Sequence, residues 1–483
     1  MPELTPANLT PPRQPDSNLR ARIRSQVRRD QLICVVITAV LIAGIFLIEP
    51  SLKQQRSRLV QSNDKNIGQL LLTFPRLALG GFRGILAMAL WENAEHDKNV
   101  QKWRPLETDY NAIAALEPYF ASDYIFNAWN MSYNLSAQYH GLGTKYKWVL
   151  DGLVYLYKGE HYVPDNANMI INEANDFFLK LGTSFERKYY CARWRYDIAH
   201  LYRYKPGEKG AQFGTLPEVY FIVHQPEFKC ELLPALDRKG PLGHGVKVGK
   251  IHYRYGLSVF YFAWVEYGRA MHQPKLPTDS GIEVLESWQP MALRLWCRDD
   301  IYYAQRLTNH IFTEPEAKML RRFPARVRNI LDCYRNVAIN GPRDIREWHV
   351  YLQKYPDQYK VHHQHLLETR YFMALARAEK AMFEGLVAWQ NNDRKFRIGD
   401  RADRYLLLAI SRFKTAMVAF HTYLHEAYPR SAGFPRGMGR GGQMKFMRAM
   451  EARIDGIESF RLTAQRGAPN LSFLEPVTLS DSD

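Results

Sequence analysis

The sequence predicts a mainly α-helical protein: a single N-terminal transmembrane helix, then an α-solenoid of helix pairs with an irregular Pro/Gly-rich insertion. Three observations carry this. A charge-free apolar run, Leu32 to Ile48, follows an arginine-rich stretch. Apolar residues further on recur at helical spacing in segments that run into proline. Two of those segments can be laid over each other 46 residues apart. At about 100–200 residues per domain, a chain of 483 residues holds several domains or one extended repeat array. An apolar content of 46% excludes disorder throughout.

Residues 1–30 carry Pro11, Pro12 and Pro15, then Arg20, Arg22, Arg24, Arg28 and Arg29, and read as a disordered basic tail. Residues 31–50 read as a transmembrane signal anchor. The run LICVVITAVLIAGIFLI has 17 residues without a charge. At about 1.5 Å per residue it spans roughly 25 Å, the short end of a membrane helix. Glu49-Pro50 stops it. A buried core helix usually has a polar stripe, and only Thr38 is polar here. A cleavable signal has a shorter apolar core, about 7–15 residues, and a small-residue cleavage site, so an uncleaved anchor fits better. Six arginines lie in positions 12–31, against Lys53, Arg56, Arg58 and Lys65 in positions 50–69. That bias places the tail in the cytoplasm and the remainder outside it, on the periplasmic side in a bacterium.

Gln69 to Trp91 is also long and apolar, but it contains Arg76, Arg83, Pro75 and Gly80-Gly81. Each arginine costs about 2.5–3.5 kcal/mol at a bilayer centre, so soluble amphipathic helices are expected, with a two-pass topology as the alternative.

Residues 51–204 read as a first helical-repeat region. In LETDYNAIAALEP, Leu106, Tyr110, Ile113 and Leu116 share one face before Pro118. WVLDGLVYLYKGEHYVP ends likewise at Pro164. Aligning these prolines matches Ala121 with Ala167, Ala128 with Ala174 and Leu135 with Leu181, on one helical face. Residues 205–250 are dense in Pro and Gly and read as an insertion, with Phe221-Ile222-Val223 as its strand-like trio. Residues 251–465 read as a second helical-repeat region, opening with the aromatic segment Tyr253 to Met271. IREWHVYLQKYP ends at Pro356. In the last strong helix Phe413, Met417, Phe420, Leu424 and Ala427 form one stripe before Pro429. Residues 466–483 read as a disordered tail.

Trp91 and Ala94, the Ala112/Ala115 helix with its Leu116-x-Pro118 end, and Tyr351, Leu352, Tyr355 and Pro356 together resemble the tetratricopeptide-repeat superfamily. The resemblance covers roughly 85–205 and 345–430, and the 46-residue spacing exceeds the family's period of about 34. It implies a divergent, TPR-like array that binds proteins or peptides on a concave face.

No cofactor is expected and no catalytic residue stands out. The loop GPLGHGVKVGK at 240–250 fails the P-loop pattern, with Ile251 where the hydroxyl belongs. No Gly-x-Ser-x-Gly elbow is present, and Asn93 breaks a Glu-x-x-His motif ending at His96. His421 and His425 have the i,i+4 spacing of helical zinc sites, and are the metal-binding or enzymatic alternative. They fall at the boundary of the apolar face, where polar aromatics commonly sit. His362, His363, His365 and Glu368 form a second cluster, read as a solvated helix start. Cys191, Cys230, Cys297 and Cys333 allow two disulfides or four free thiols.

The formal charge is +16, of which residues 1–31 supply only +3. Two basic patches stand out: Lys318, Arg321, Arg322, Arg326 and Arg328, and Arg436, Arg440, Lys445 and Arg448. Outside the cytoplasm they would face anionic lipid or polymer rather than nucleic acid. The expected partners are therefore proteins and the membrane.

Overall fold

The computed structural model describes residues 83–199, 201, 217–232, 246–248, 251–253, 257–274, 279–313, 324–427, 440–467 and 469–474. The expected tail and anchor, 1–50, lie outside the described residues, as do most of 205–250 and residues 475–483 of the expected C-terminal tail. Within the described residues the chain is mainly helical. No described helix is long and apolar enough to cross a membrane.

The chain divides into two units, Met1–Pro118 and Tyr119–Asp483. In the first, α1 (Arg83–Asn99) packs on α2 (Trp103–Leu116). The stripe Leu106, Tyr110, Ile113 and Leu116 is buried, as its spacing dictates. Asn93 Nδ2 donates to Asp109 Oδ2 at 2.6 Å and ties the pair. Ile85 and Met88, from the second apolar stretch, are exposed.

The second unit opens with a repeated device. Helix α3 (Ala121–Trp129) continues through a π-helical turn, Asn130–Leu135. After α4 (Leu142–Glu160), α5 (Ala167–Asn175) continues through a π-helical turn, Asp176–Gly182. The two helices and the starts of their π turns coincide at the 46-residue spacing of Pro118 and Pro164. Buried positions coincide too: Tyr124 with Ile170, Ala128 with Ala174, Met131 with Phe177, and Leu135 with Leu181. Ser132 Oγ donates to Asp176 Oδ2 at 2.7 Å and joins the two turns. Asn166 caps α5 by accepting from the Met169 N–H at 3.1 Å.

α6 (Arg187–Ala199) and α7 (Pro217–Val223) follow. The strand-like trio Phe221-Ile222-Val223 is therefore helical. Val219, Ile222 and Val223 are buried at i, i+3 and i+4, a helical period that three residues alone cannot display. After a 3₁₀ turn (Pro226–Phe228), the strands are β1 (Cys230–Leu232), β2 (Val246–Val248) and β3 (Ile251–Tyr253). They pair antiparallel in that order, Cys230 opposite Val248 and Val246 opposite Tyr253. The aromatic segment at 253–271 becomes helical only at α8 (Val259–Ala270), which Ser258 caps.

Long helices complete the unit: α9 (Asp279–Thr313), α10 (Pro324–Lys354), α11 (Tyr359–Asn391), α12 (Arg401–Ala427) and α13 (Arg440–Ala464). α10 stops two residues before Pro356, where the proline ring excludes a further turn, and Pro429 lies outside the described residues. α9 serves two cores. Leu285, Leu293 and Trp296 pack with Phe177, Trp194 and Phe262. Ile301, Ala304 and Phe312 pack with residues of α10 to α13.

The two repeats close on each other at Gly152 of α4. A Cβ there would lie 2.4 Å from Ser132 Oγ and 2.9 Å from the Ala128 carbonyl. Gly152→Ala should therefore destabilise the protein by about 1–3 kcal/mol, read as a lower urea midpoint of the full chain.

Candidate functional site

Of the sequence-marked residues, Lys318, Arg321, Arg322 and Arg436 lie outside the described residues. Arg326 stands on α10, and Arg440 and Lys445 on α13, with their side chains outside the described set. Arg328 and Arg448 are exposed on those helices. His421 and His425 are exposed on α12, their rings stacked with centroids 6.3 Å apart. No group of three His, Cys, Asp or Glu suited to a metal occurs among the described residues. The four cysteines there are free thiols. Burial pushes each of their pKa values up, so none is poised as a thiolate.

The 362–368 cluster is not simply a solvated helix start. His365 is buried, because α11 packs here against both α9 and α10. Arg294 of α9 donates to His365 Nδ1 at 2.5 Å and pairs with Glu368 one turn on. Burial, and then the Arg294 charge, hold the His365 pKa well below its ordinary value. The ring is therefore neutral, with Nδ1 as acceptor. Trp348 of α10 covers it, centroid to centroid 4.8 Å, and stacks on His362 at 5.3 Å. Thr369 Oγ1 faces two acceptors, Asp344 Oδ2 and the His365 carbonyl, the latter at 3.0 Å. One hydroxyl proton cannot serve both. Burial drives the Asp344 carboxyl well above its usual pKa, so Asp344 supplies the second proton. The cluster is an internal network that ties α9, α10 and α11 through Arg294, Asp344, Trp348, His365 and Glu368. Arg294 and Asp344 had no sequence signal beyond a charge on an apolar face.

What the second unit presents outward is aromatic. Phe126, Trp129 and Tyr133 follow one another at i, i+3 and i+7 along α3 and its π turn, a single face. Trp129 stacks on Tyr133 with centroids 6.3 Å apart, and Phe126 lies 6.4 Å from Trp129. Trp129 is 45% exposed. Just before the helix, Tyr119 and Phe120 are 77% and 51% exposed, and Tyr119 meets Tyr162 edge-on. Lys180 of the second π turn sits over the Tyr133 ring at 5.2 Å. Two repeats thus share one aromatic surface with a cation at its edge. The sequence showed the richness in Tyr and Trp but not this grouping, because Phe126, Trp129 and Tyr133 interrupt the pattern of the buried face.

Elsewhere, a cavity of about 560 Å³ lies between α10, α11 and α12. Its walls include Val327, Leu331, Phe383 and Val387, and Glu384, Asn391, Asp400 and Arg401 add polar groups.

Comparison with known protein families, with characterised proteins and with solved structures finds no match for this chain.

The neutral His365 makes the fold acid-sensitive in a defined direction. The unfolded chain takes up a proton at this residue below about pH 6.5, and the folded chain does not. The contribution of His365 to stability is therefore lost as pH falls from 7 to 5. His365→Gln retains an acceptor for Arg294 and should lessen that loss by up to about 1.4 kcal/mol per pH unit, read from urea midpoints across this range.

Proposed function

We propose that this chain is a membrane-anchored, extracytoplasmic scaffold: a divergent tetratricopeptide-like array of helix pairs that binds a protein partner. Residues 31–50 supply the anchor, with the N-terminus cytoplasmic. The observation that carries the reading is the repeated helix-plus-π-turn unit, whose elements and buried positions recur 46 residues apart. Repeat units of this kind bury a shared core between neighbours and leave one face free for a partner. The outward-facing Trp129, with Phe126 and Tyr133, favours protein as that partner. Aromatic side chains are enriched at protein interfaces and give large contact area at low entropic cost.

Two measurements test it. A reporter fused after residue 483 should be active only outside the cytoplasm, and activity confined to the cytoplasm rejects the topology. A photo-crosslinking amino acid at position 129, in the full chain in intact cells, should give one discrete protein adduct. Trp129→Ala should then weaken co-purification of that protein by about tenfold or more. Unchanged co-purification would remove the aromatic surface from the proposed interface.

A further inference from the structure

The second repeat contains a charge arrangement with no counterpart in the first. Four carboxylates from four elements meet one guanidinium. Arg269 of α8 lies 2.6 Å from Glu160 at the end of α4 and 3.1 Å from Glu173 of α5. It lies 2.9 Å from Glu227 of the 3₁₀ turn and 3.1 Å from Glu266, one turn before it on α8. Glu173 and Glu266 are fully buried, whereas Glu160, Glu227 and Arg269 keep 17%, 14% and 19% of their side-chain surface exposed. Tyr157 of α4 donates to Glu266 Oε1 at 2.9 Å. Glu173 Oε1 is buried without a hydrogen-bond partner. The titratable groups facing one another here are Tyr157, Glu160, Glu173, Glu227, Glu266 and Arg269. Arg269 is the one cation paired with the four carboxylates among the described residues.

One positive charge cannot balance four negative charges in a buried site. With every carboxylate ionised, the seam would hold three uncompensated charges, and Glu173 and Glu266 would carry theirs where water cannot solvate them. Protonation is the cheaper state, and an oxygen without a donor, Glu173 Oε1, is where a carboxyl proton has room to sit. We propose that Glu160, Glu173 and Glu266 around Arg269 form a proton-operated latch: it holds α5 to α8 while protonated and loosens that contact as rising pH strips the protons.

The energetics agree in sign. Burial first, and then the neighbouring carboxylates, push Glu173 well above the usual carboxylate range. Burial pushes Glu266 up to about 8 against the pull of Arg269, and raises Glu160 as well. A carboxyl whose folded pKa is raised contributes stability that is complete below its unfolded pKa and is lost as pH climbs through the folded value. The window is therefore from about pH 4.5 to about pH 8, and its slope is opposite to that of His365.

The test is amide hydrogen exchange on the full chain, corrected for intrinsic rates, between pH 5.5 and 7.5. Protection in α5 and α8 should fall about tenfold per pH unit for each proton lost, while α12 shows no such fall. Glu173→Gln and Glu266→Gln, tested separately so that one failure to fold leaves the other, should each flatten that dependence. A second readout is direct. Infrared difference spectra between the same pH values should show loss of a protonated-carboxyl C=O band, reduced in each variant. Protection in α5 and α8 that does not vary with pH, or a carboxyl band unchanged in both variants, overturns the latch. Either result is independent of whether a protein partner binds the aromatic surface.

Discussion

α9 must cross from one apolar core to another, and its polar residues must be satisfied on the way. This constraint organises the second unit from α6 to α13. Arg294 reaches His365 and Glu368 of α11. Asp299 and Asp300 both accept from Arg195 of α6, each at 2.6 Å, and Asp300 also accepts from Asn336 of α10. Gln305 donates to Glu379 of α11 at 2.8 Å, and Glu379 in turn holds Arg453 of α13 at 2.9 Å. One helix thus bonds α6, α10 and α11 at successive levels, and reaches α13 through α11. Buried pairs of this kind add little net stability over apolar packing, because desolvation offsets attraction. Breaking one leaves a bare charge inside, so a shifted register is costly. Apolar stripes alone would let these long helices slide by a turn. The charged levels on α9 specify one alignment.

Those partners explain which parts of the structure could be read from the sequence. Helices and their ends depend on neighbouring residues. The buried stripe of α2 and the stops before Pro118 and Pro356 follow from spacing and from the missing proline N–H. The 46-residue match was legible because each unit buries the same positions. The same proline rule misleads inside the long helices: α9 runs through Pro290 and α10 through Pro342. Flanking tertiary packing there outweighs the lost hydrogen bond, and only the fold supplies that information. Phe221-Ile222-Val223 misled for a related reason, since three apolar residues carry no period. The polar clusters were the least legible. Arg294 and Glu368 are 74 residues apart, and Arg269 is 109 from Glu160. No local pattern announces such a pair.

Side by side, the two repeats show how one backbone device takes on different chemistry. In the first, Asn127 donates to Asp123 at 2.7 Å and Tyr155 donates to the same carboxyl at 3.1 Å. That burial raises Asp123 to about 6, but two donors accompany the single carboxyl. In the second, the position equivalent to Asn127 is Glu173. A neutral amide that supplied its own donor is replaced by a carboxyl that needs one. Arg269 from α8 meets that need only in part, because Glu160, Glu227 and Glu266 draw on the same guanidinium. The helices and the starts of the π turns align in the two repeats, so this substitution is a difference of side chain at a shared backbone position. The two repeats meet where Ser132 binds Asp176 and Lys180 covers Tyr133. Asp176 is itself raised to about 7 by burial, so the junction between the two repeats titrates within the window of the seam.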